Sequence, residues 1–438
     1  GKEVYPMARH SKQPDRRKVI QLKDHLPQQP RKAPPPDEFL EEESPRAEIE
    51  YGDGPESGGK KKAWQAPKAF YRVSVALLVA VLGLAIWVNR ENLTPQNISS
   101  WLQMQVAGEG SGDGYPVSLT GSSVTAGNFL SVYGNAVTLS DTSLTILDSS
   151  GGELASLRHS YSQPILKAAG GHYLLYNQNS TGYMLVSGTE IKIDGSMERD
   201  ILAGAVSNSG KFALATQGKE GASELTVYLA NGEEQFTYSF AQDYITTLAL
   251  NEDGTWAMVC TARSQGGELV SKITVFNLNQ SDPVAEYEVQ DNLLLGAYWG
   301  ENDVLYAVGD GSLIRAKSSD LAFSEYSYDG RTPTAFQFAG GKLYLSISAY
   351  QHAGPCTLLV FRGVEEPVEI QVAERVQALS VSGGTVGALV EQEMILYDAS
   401  TGSELARADA GSDAKSVALA NESTAYVLGG SEIRRLQF

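Results

Sequence analysis

The chain has 438 residues, 42% of them apolar, with 44 Gly, 21 Tyr and a formal net charge of −18. That is enough apolar content for a large core, and the Gly and Tyr content favours many strands and tight turns over helices. The acidic balance argues against a nucleic-acid binder. Two cysteines make no disulfide framework, and the absence of CxxC argues against a redox motif or a thiolate zinc site.

Residues 1–68 lack apolar periodicity and carry Pro34–Pro36, Glu41–Glu43 and Lys60–Lys62 as homopolymeric runs. A segment of this kind cannot offset its ordering entropy, so it reads as a disordered cytoplasmic arm. Within it, RRKVIQLKDHLP (Arg16 to Pro27) is either a short docking motif or plain linker.

Residues 69–88, AFYRVSVALLVAVLGLAIWV, reach the length needed to cross a bilayer, with Tyr71 and Trp87 at the ends as interfacial aromatics. Lys60, Lys61, Lys62, Lys68 and Arg72 crowd the N-terminal flank. The positive-inside rule then makes 69–89 an uncleaved signal anchor, with the arm in the cytoplasm and the rest outside the plasma membrane. Residues 1–72 carry 15 Lys and Arg against 12 Asp and Glu, whereas the remainder carries 19 against 40. The two sides therefore differ in charge as two compartments would.

Residues 90–114 read as a joint. Thr94 and Pro95 start a short helix with Ile98, Trp101, Leu102 and Val106 on one face, and the Gly-rich run from Gly108 to Gly114 ends it.

From residue 129 a pattern recurs. Turns such as SNSGKFALA (207–215), NEDGTWAMV (251–259) and SGGTVGALV (382–390) alternate with strand-turns such as SLTILDSSGGEL (143–154) and EMILYDASTGSEL (393–405). Indexed on the third strand, the repeats fall at Leu144, Tyr183, Leu225, Ile273, Leu313, Leu358, Ile395 and Ile433. A mean period of about 41 residues with four short strands each is that of a β-propeller blade. The eighth repeat has three strands and ends on SEIRRLQF (431–438), while YPVSLTG (115–121) is a strand without a repeat. The expected fold is all-β: an eight-bladed propeller over 115–438, closed by that N-terminal strand and preceded by one transmembrane helix. Seven blades is the alternative.

The stretches GDGYPVSLTGSSV (112–124), LSDTSLTILDSSGGEL (139–154) and YSQPILKAAGGHYLLY (161–176) resemble an uncharacterised family of single-span Gram-positive bacterial proteins with an outer β-propeller, a domain of unknown function. The resemblance implies a membrane-anchored protein and no activity. LYDASTGSEL (396–405) is more loosely similar to the strand-turn of quinoprotein-like propellers, and the resemblance to WD40-like propellers is distant, since their WD dipeptide is missing. The recurrent tryptophans of true quinoproteins are missing, so no cofactor is expected.

HExxH, GxSxG and Walker patterns do not occur, so the chain reads as a non-enzyme. Propeller geometry places the blade-to-blade loops on the same face as the loops between second and third strands, where binding sites gather. The blade-to-blade loops hold His159, Tyr161, Arg199, Asp200, Asp243, Tyr244, Asp291, Asn292, Arg331, Glu374, Arg375, Asp413 and Lys415. These residues form either a contact surface or a set of caps on strand ends. Long loops between second and third strands are expected at 217–223, 264–269 and 349–355.

The function expected is a non-catalytic binding or scaffolding module, anchored in the membrane and facing an envelope protein or glycan. A sensor relaying ligand binding to the arm is the alternative, and a propeller hydrolase or lyase stands further back.

Overall fold

A computed structural model describes residues 112–300 and 302–438. The arm, the anchor and the joint through residue 111 lie outside the described residues. Among the described residues no helix is long and apolar enough to cross a membrane.

The described chain forms eight four-stranded antiparallel sheets. Seven take their strands in sequence order: blade 1 (124–158), blade 2 (164–196), blade 3 (201–240), blade 4 (244–290), blade 5 (294–327), blade 6 (332–372) and blade 7 (376–409). Blade 8 orders Ser416–Asn421, Thr424–Leu428, Glu432–Gln437 and then Val117–Ser118 from the other end of the ring. In the closing pair Val117 faces Ile433 and Ser118 faces Glu432. The Leu119 N–H extends it, donating to the Ser431 carbonyl at 2.9 Å. Eight blades and the N-terminal closure are thus as the repeat count and the strand without a repeat predict.

The strand chemistry follows from position in the blade. Second and third strands lie between neighbouring blades on both faces and are largely apolar, as in His172–Asn177 and Thr385–Val390; in these and in Asn135–Ser140 every residue is buried. Outer strands such as Glu153–Arg158 and Glu404–Asp409 have no such cover and alternate with charge. The apolar side chains form eight cores, one in each gap between adjacent blades. The gap between blades 8 and 1 is filled by Val124, Phe129, Tyr426, Leu428 and Ile433, with Val117 and Leu119 against them. The ring is therefore closed by packing as well as by backbone hydrogen bonds.

The inner strands line the axis and are tied to one another by side chains that reach backbone. Asn128 donates to the Pro164 carbonyl at 2.7 Å and accepts from the Leu166 N–H at 3.0 Å. Thr246 donates to the Leu294 carbonyl at 3.0 Å, and Ser380 accepts from the Leu419 N–H at 2.7 Å. In blades 3 to 7 each inner strand bulges near its start. The extra residues are Leu202, Thr246, Leu295, Thr334 and Gln377, at equivalent positions. A bulge re-aims one side chain out of the ladder, and here it sets one residue per blade near the same end of the axis.

The two faces of the ring differ. Blade-to-blade loops and loops between second and third strands share the crossover face. Loops between first and second, and third and fourth, strands share the inlet face. The chain leads into the ring on the inlet face, where Gly114 N–H donates to the Ser150 carbonyl at 3.0 Å and the Tyr115 hydroxyl to the Asp148 carbonyl at 2.8 Å.

One expected loop is not a loop. In blade 4 the second and third strands run on as Trp256–Gln265 and Glu268–Asn277, ten residues each. Only Gly266 and Gly267 turn the chain, at φ of 66° and 92°. Two positive φ angles in succession suit a two-residue hairpin turn whose twist matches the strands, so SQGGEL (264–269) extends the hairpin instead of opening it. The loops at 218–222 and 349–355 are present.

Candidate functional site

The structure brings the residues expected on the binding face to the crossover face, and many of them are occupied there by the ring itself. Asn292 is buried: its Oδ1 accepts from the Gly311 and Ser312 N–H groups at 2.9 and 3.1 Å, and its Nδ2 donates to Ser312 Oγ at 2.8 Å. Asp243 is buried and shared by Arg263 and Lys272, each at 3.0 Å. The Arg331 Nε–H donates to the Tyr328 carbonyl at 2.9 Å, and Arg375 to the Tyr350 carbonyl at 2.8 Å. His159 stacks on Tyr161 with ring centres 4.8 Å apart, and its Nδ1 accepts from the Tyr161 N–H at 3.1 Å. Burial pushes the imidazole pKa of His159 down and the Tyr161 phenol up to about 12. Arg199 and Asp200 are half-buried in the 197–200 loop, and Asp291, Glu374 and Lys415 are exposed.

Asp413 shows what such a cap does. Its carboxylate pairs with Arg434 at 2.7 Å and accepts from the Gly430 N–H at 2.8 Å, which hold its pKa down at about 2. A depressed carboxylate stabilises the fold above its unfolded pKa of about 4, and that contribution is lost as pH falls through the folded value. Asp413→Asn is therefore expected to flatten the acid limb of the stability curve between about pH 4 and pH 2. Unfolding followed by tryptophan fluorescence checks it, and an unchanged limb would mean that the Asp413 cap contributes nothing to stability.

Apolar surface remains open on the same face. Tyr244 is 59% exposed, Leu295 45% and Tyr350 54%. Tyr244 starts the inner strand of blade 4, Leu295 is the bulged residue of blade 5, and Tyr350 lies in the 349–355 loop of blade 6. Tyr244 was legible as a loop-edge aromatic. Tyr350 is the aromatic of the long loop expected at 349–355, whereas nothing in the sequence marks Leu295.

At the inlet end of the axis is a cavity of about 310 Å³, walled by blades 2 to 6. Its lining includes Lys167, Leu248, Tyr298, Trp299 and Phe338, with Asn208 and Glu252 on loops. Among the described residues no three His, Cys, Asp or Glu side chains gather as metal ligands. Cys260 and Cys356 are both free and buried.

Residues 114–328 match a family of unknown function, DUF5711. The match takes in the closing strand and blades 1 to 5. No curated protein matches the chain. Solved structures similar to it include a hydrazine synthase chain from Kuenenia stuttgartiensis, at 10% identity and a TM-score of 0.44, covering 62% of this chain and 94% of that one. BamB from Moraxella catarrhalis is another, at 12% identity and a TM-score of 0.44, covering 75% of this chain and 95% of that one.

Proposed function

We propose that the ring is a non-catalytic binding or scaffolding module for an envelope protein or glycan, held outside the plasma membrane by residues 69–89. The observation that carries this reading is the apolar surface at Tyr244, Leu295 and Tyr350 on the crossover face, opposite the face by which the chain enters. Tyrosines there offer large contact area at low entropic cost, and a phenol can hydrogen-bond a peptide or a sugar equally. The ring's outer strand edges are short, and side chains on the crossover face are the contact surface proposed here.

The test is cross-linking in native membranes followed by co-purification. The full chain is compared with a Tyr244→Ala/Tyr350→Ala double variant and with a chain lacking residues 1–59. Partners bound through the crossover face should fall by about tenfold or more in the double variant and persist without the arm. Partners that survive the double variant, or vanish with the arm alone, would place the working surface elsewhere.

A further inference from the structure

Lys167 is the only Asp, Glu, Lys or Arg on the eight inner strands. It stands in PILKAA (Pro164–Ala169), where Leu166 turns into the core between blades 1 and 2 and Lys167 turns to the axial cavity. Its side chain is reached by solvent yet walled by protein, as expected of a group standing in an internal channel. Burial lowers its pKa, and no acidic neighbour acts to hold it up.

A charge walled by apolar side chains gains from a counter-ion even where water still reaches it. Two loop side chains of this cavity do have partners. Glu252, the one acidic residue on the lining, sits in the 251–255 loop and accepts from Asn208 Nδ2 at 3.1 Å. Asn251 Oδ1 accepts from the Thr255 and Trp256 N–H groups at 2.9 and 2.8 Å. Lys167 has no hydrogen-bond or ion-pair partner among the described residues, and it lines a space large enough for a small molecule.

We propose that the inlet-side cavity binds a small organic monoanion, a carboxylate on a flat apolar body, with the Lys167 ammonium as its counter-ion. The size is that of the smaller ligand pockets, where apolar walls and one or two polar groups set orientation. Trp299, Tyr298 and Phe338 supply the aromatic wall, and Ala205, Leu248 and Ala297 an aliphatic one. Lys167 is the one cation on the lining, so it can face one carboxylate directly, while Glu252 is held on its loop by Asn208. A dianion would carry one charge uncompensated into the same enclosed space beside Glu252. The site lies on the opposite face from the apolar crossover surface, so it stands independently of the partner-binding reading.

The probe is para-fluorobenzoate, with para-fluorobenzamide as its neutral counterpart, observed by fluorine NMR on the full chain in micelles and against empty micelles. The acid is expected to bind roughly tenfold or more tightly than the amide. Lys167→Met should abolish that preference while leaving amide binding unchanged, and Lys167→Arg should retain it. Equal binding of acid and amide, undiminished acid binding by Lys167→Met, or no binding of either at about 10 mM would overturn the proposal. Near-ultraviolet circular dichroism confirms that each variant is folded. Should Lys167→Met fail to fold, Lys167→Gln carries the same comparison.

Discussion

Ile433→Ala is expected to destabilise the ring by about 3 kcal/mol, because it empties the core of the one gap that joins the two ends of the propeller. Ile433 is 1% exposed and sits across from Val117, with Phe129, Tyr426 and Leu428 in the same cluster. Deleting three carbons there removes their transfer energy and leaves a cavity, since Phe129 and Tyr426 are held by their own strands. The loss also falls on a short hinge of structure: the closing strand Val117–Ser118 is two residues long and depends on that core to stay paired. Leu119→Pro should act in the same direction by removing the N–H that donates to Ser431. Leu405, 54% exposed on the outer strand of blade 7, is the control, and Leu405→Ala should shift stability by no more than about 0.5 kcal/mol. Urea denaturation of the three variants checks the order. An Ile433→Ala ring that unfolds with the parent would mean that closure contributes little to stability.

Asp243→Ala should cost about 2 kcal/mol, a larger effect than any exposed ion pair in the ring can give. Asp243 neutralises two cations at once, Arg263 and Lys272, whose side chains are 17% and 15% exposed. Without it each keeps only one carboxylate, Glu288 or Glu286, and both of those are about half exposed. The figure is set below that for a fully buried pair because Arg263 still reaches water through Glu288. Arg407 makes the informative contrast. It bridges Glu393 and Glu404 at 2.9 and 2.8 Å, but all three side chains are 42% to 50% exposed, so Arg407→Ala should change stability too little to measure. High salt should leave the Asp243 effect largely intact, because buried pairs are screened less. If the Asp243 and Arg407 variants unfold together, the buried carboxylate is not the hub its geometry describes.

The architecture was legible because its cause is periodic. A strand buried on both faces is apolar at its centre, and HYLLYN and TVGALV say so in one dimension. The closing strand was legible because YPVSLTG had no repeat to belong to. What those residues touch was less so. Asn292 and Asp413 were recognisable as polar residues of blade-to-blade loops, yet spacing does not tell which N–H groups a folded neighbour presents, and both cap the ring. The bulges were invisible for a related reason. Inserting one residue shifts the alternation by one, and in short apolar strands such as LLGAYW that shift leaves no mark, so the exposure of Leu295 came only with the fold. Lys167 was hidden differently. PILKAAG reads as an ordinary strand with a solvated lysine until the eight inner strands are aligned, when it becomes the single charge among them.

The pairing of Val117 with Ile433 also sets a schedule. Every other blade is assembled from strands adjacent in the chain and can form as they emerge, but blade 8 needs a strand made near the beginning. At ordinary translation speeds of about 5 to 20 residues per second, the closing strand waits roughly 15 to 60 seconds for its partner. During that interval Phe129 and Ala136 of blade 1 face an empty gap, later covered by Tyr426, whose hydroxyl donates to the Gly134 carbonyl at 2.7 Å. A chain interrupted before residue 432 can build seven blades and still be unable to seal them. A product that stops short of the eighth blade therefore keeps this apolar flank uncovered, and only a chain that extends through blade 8 can bury it.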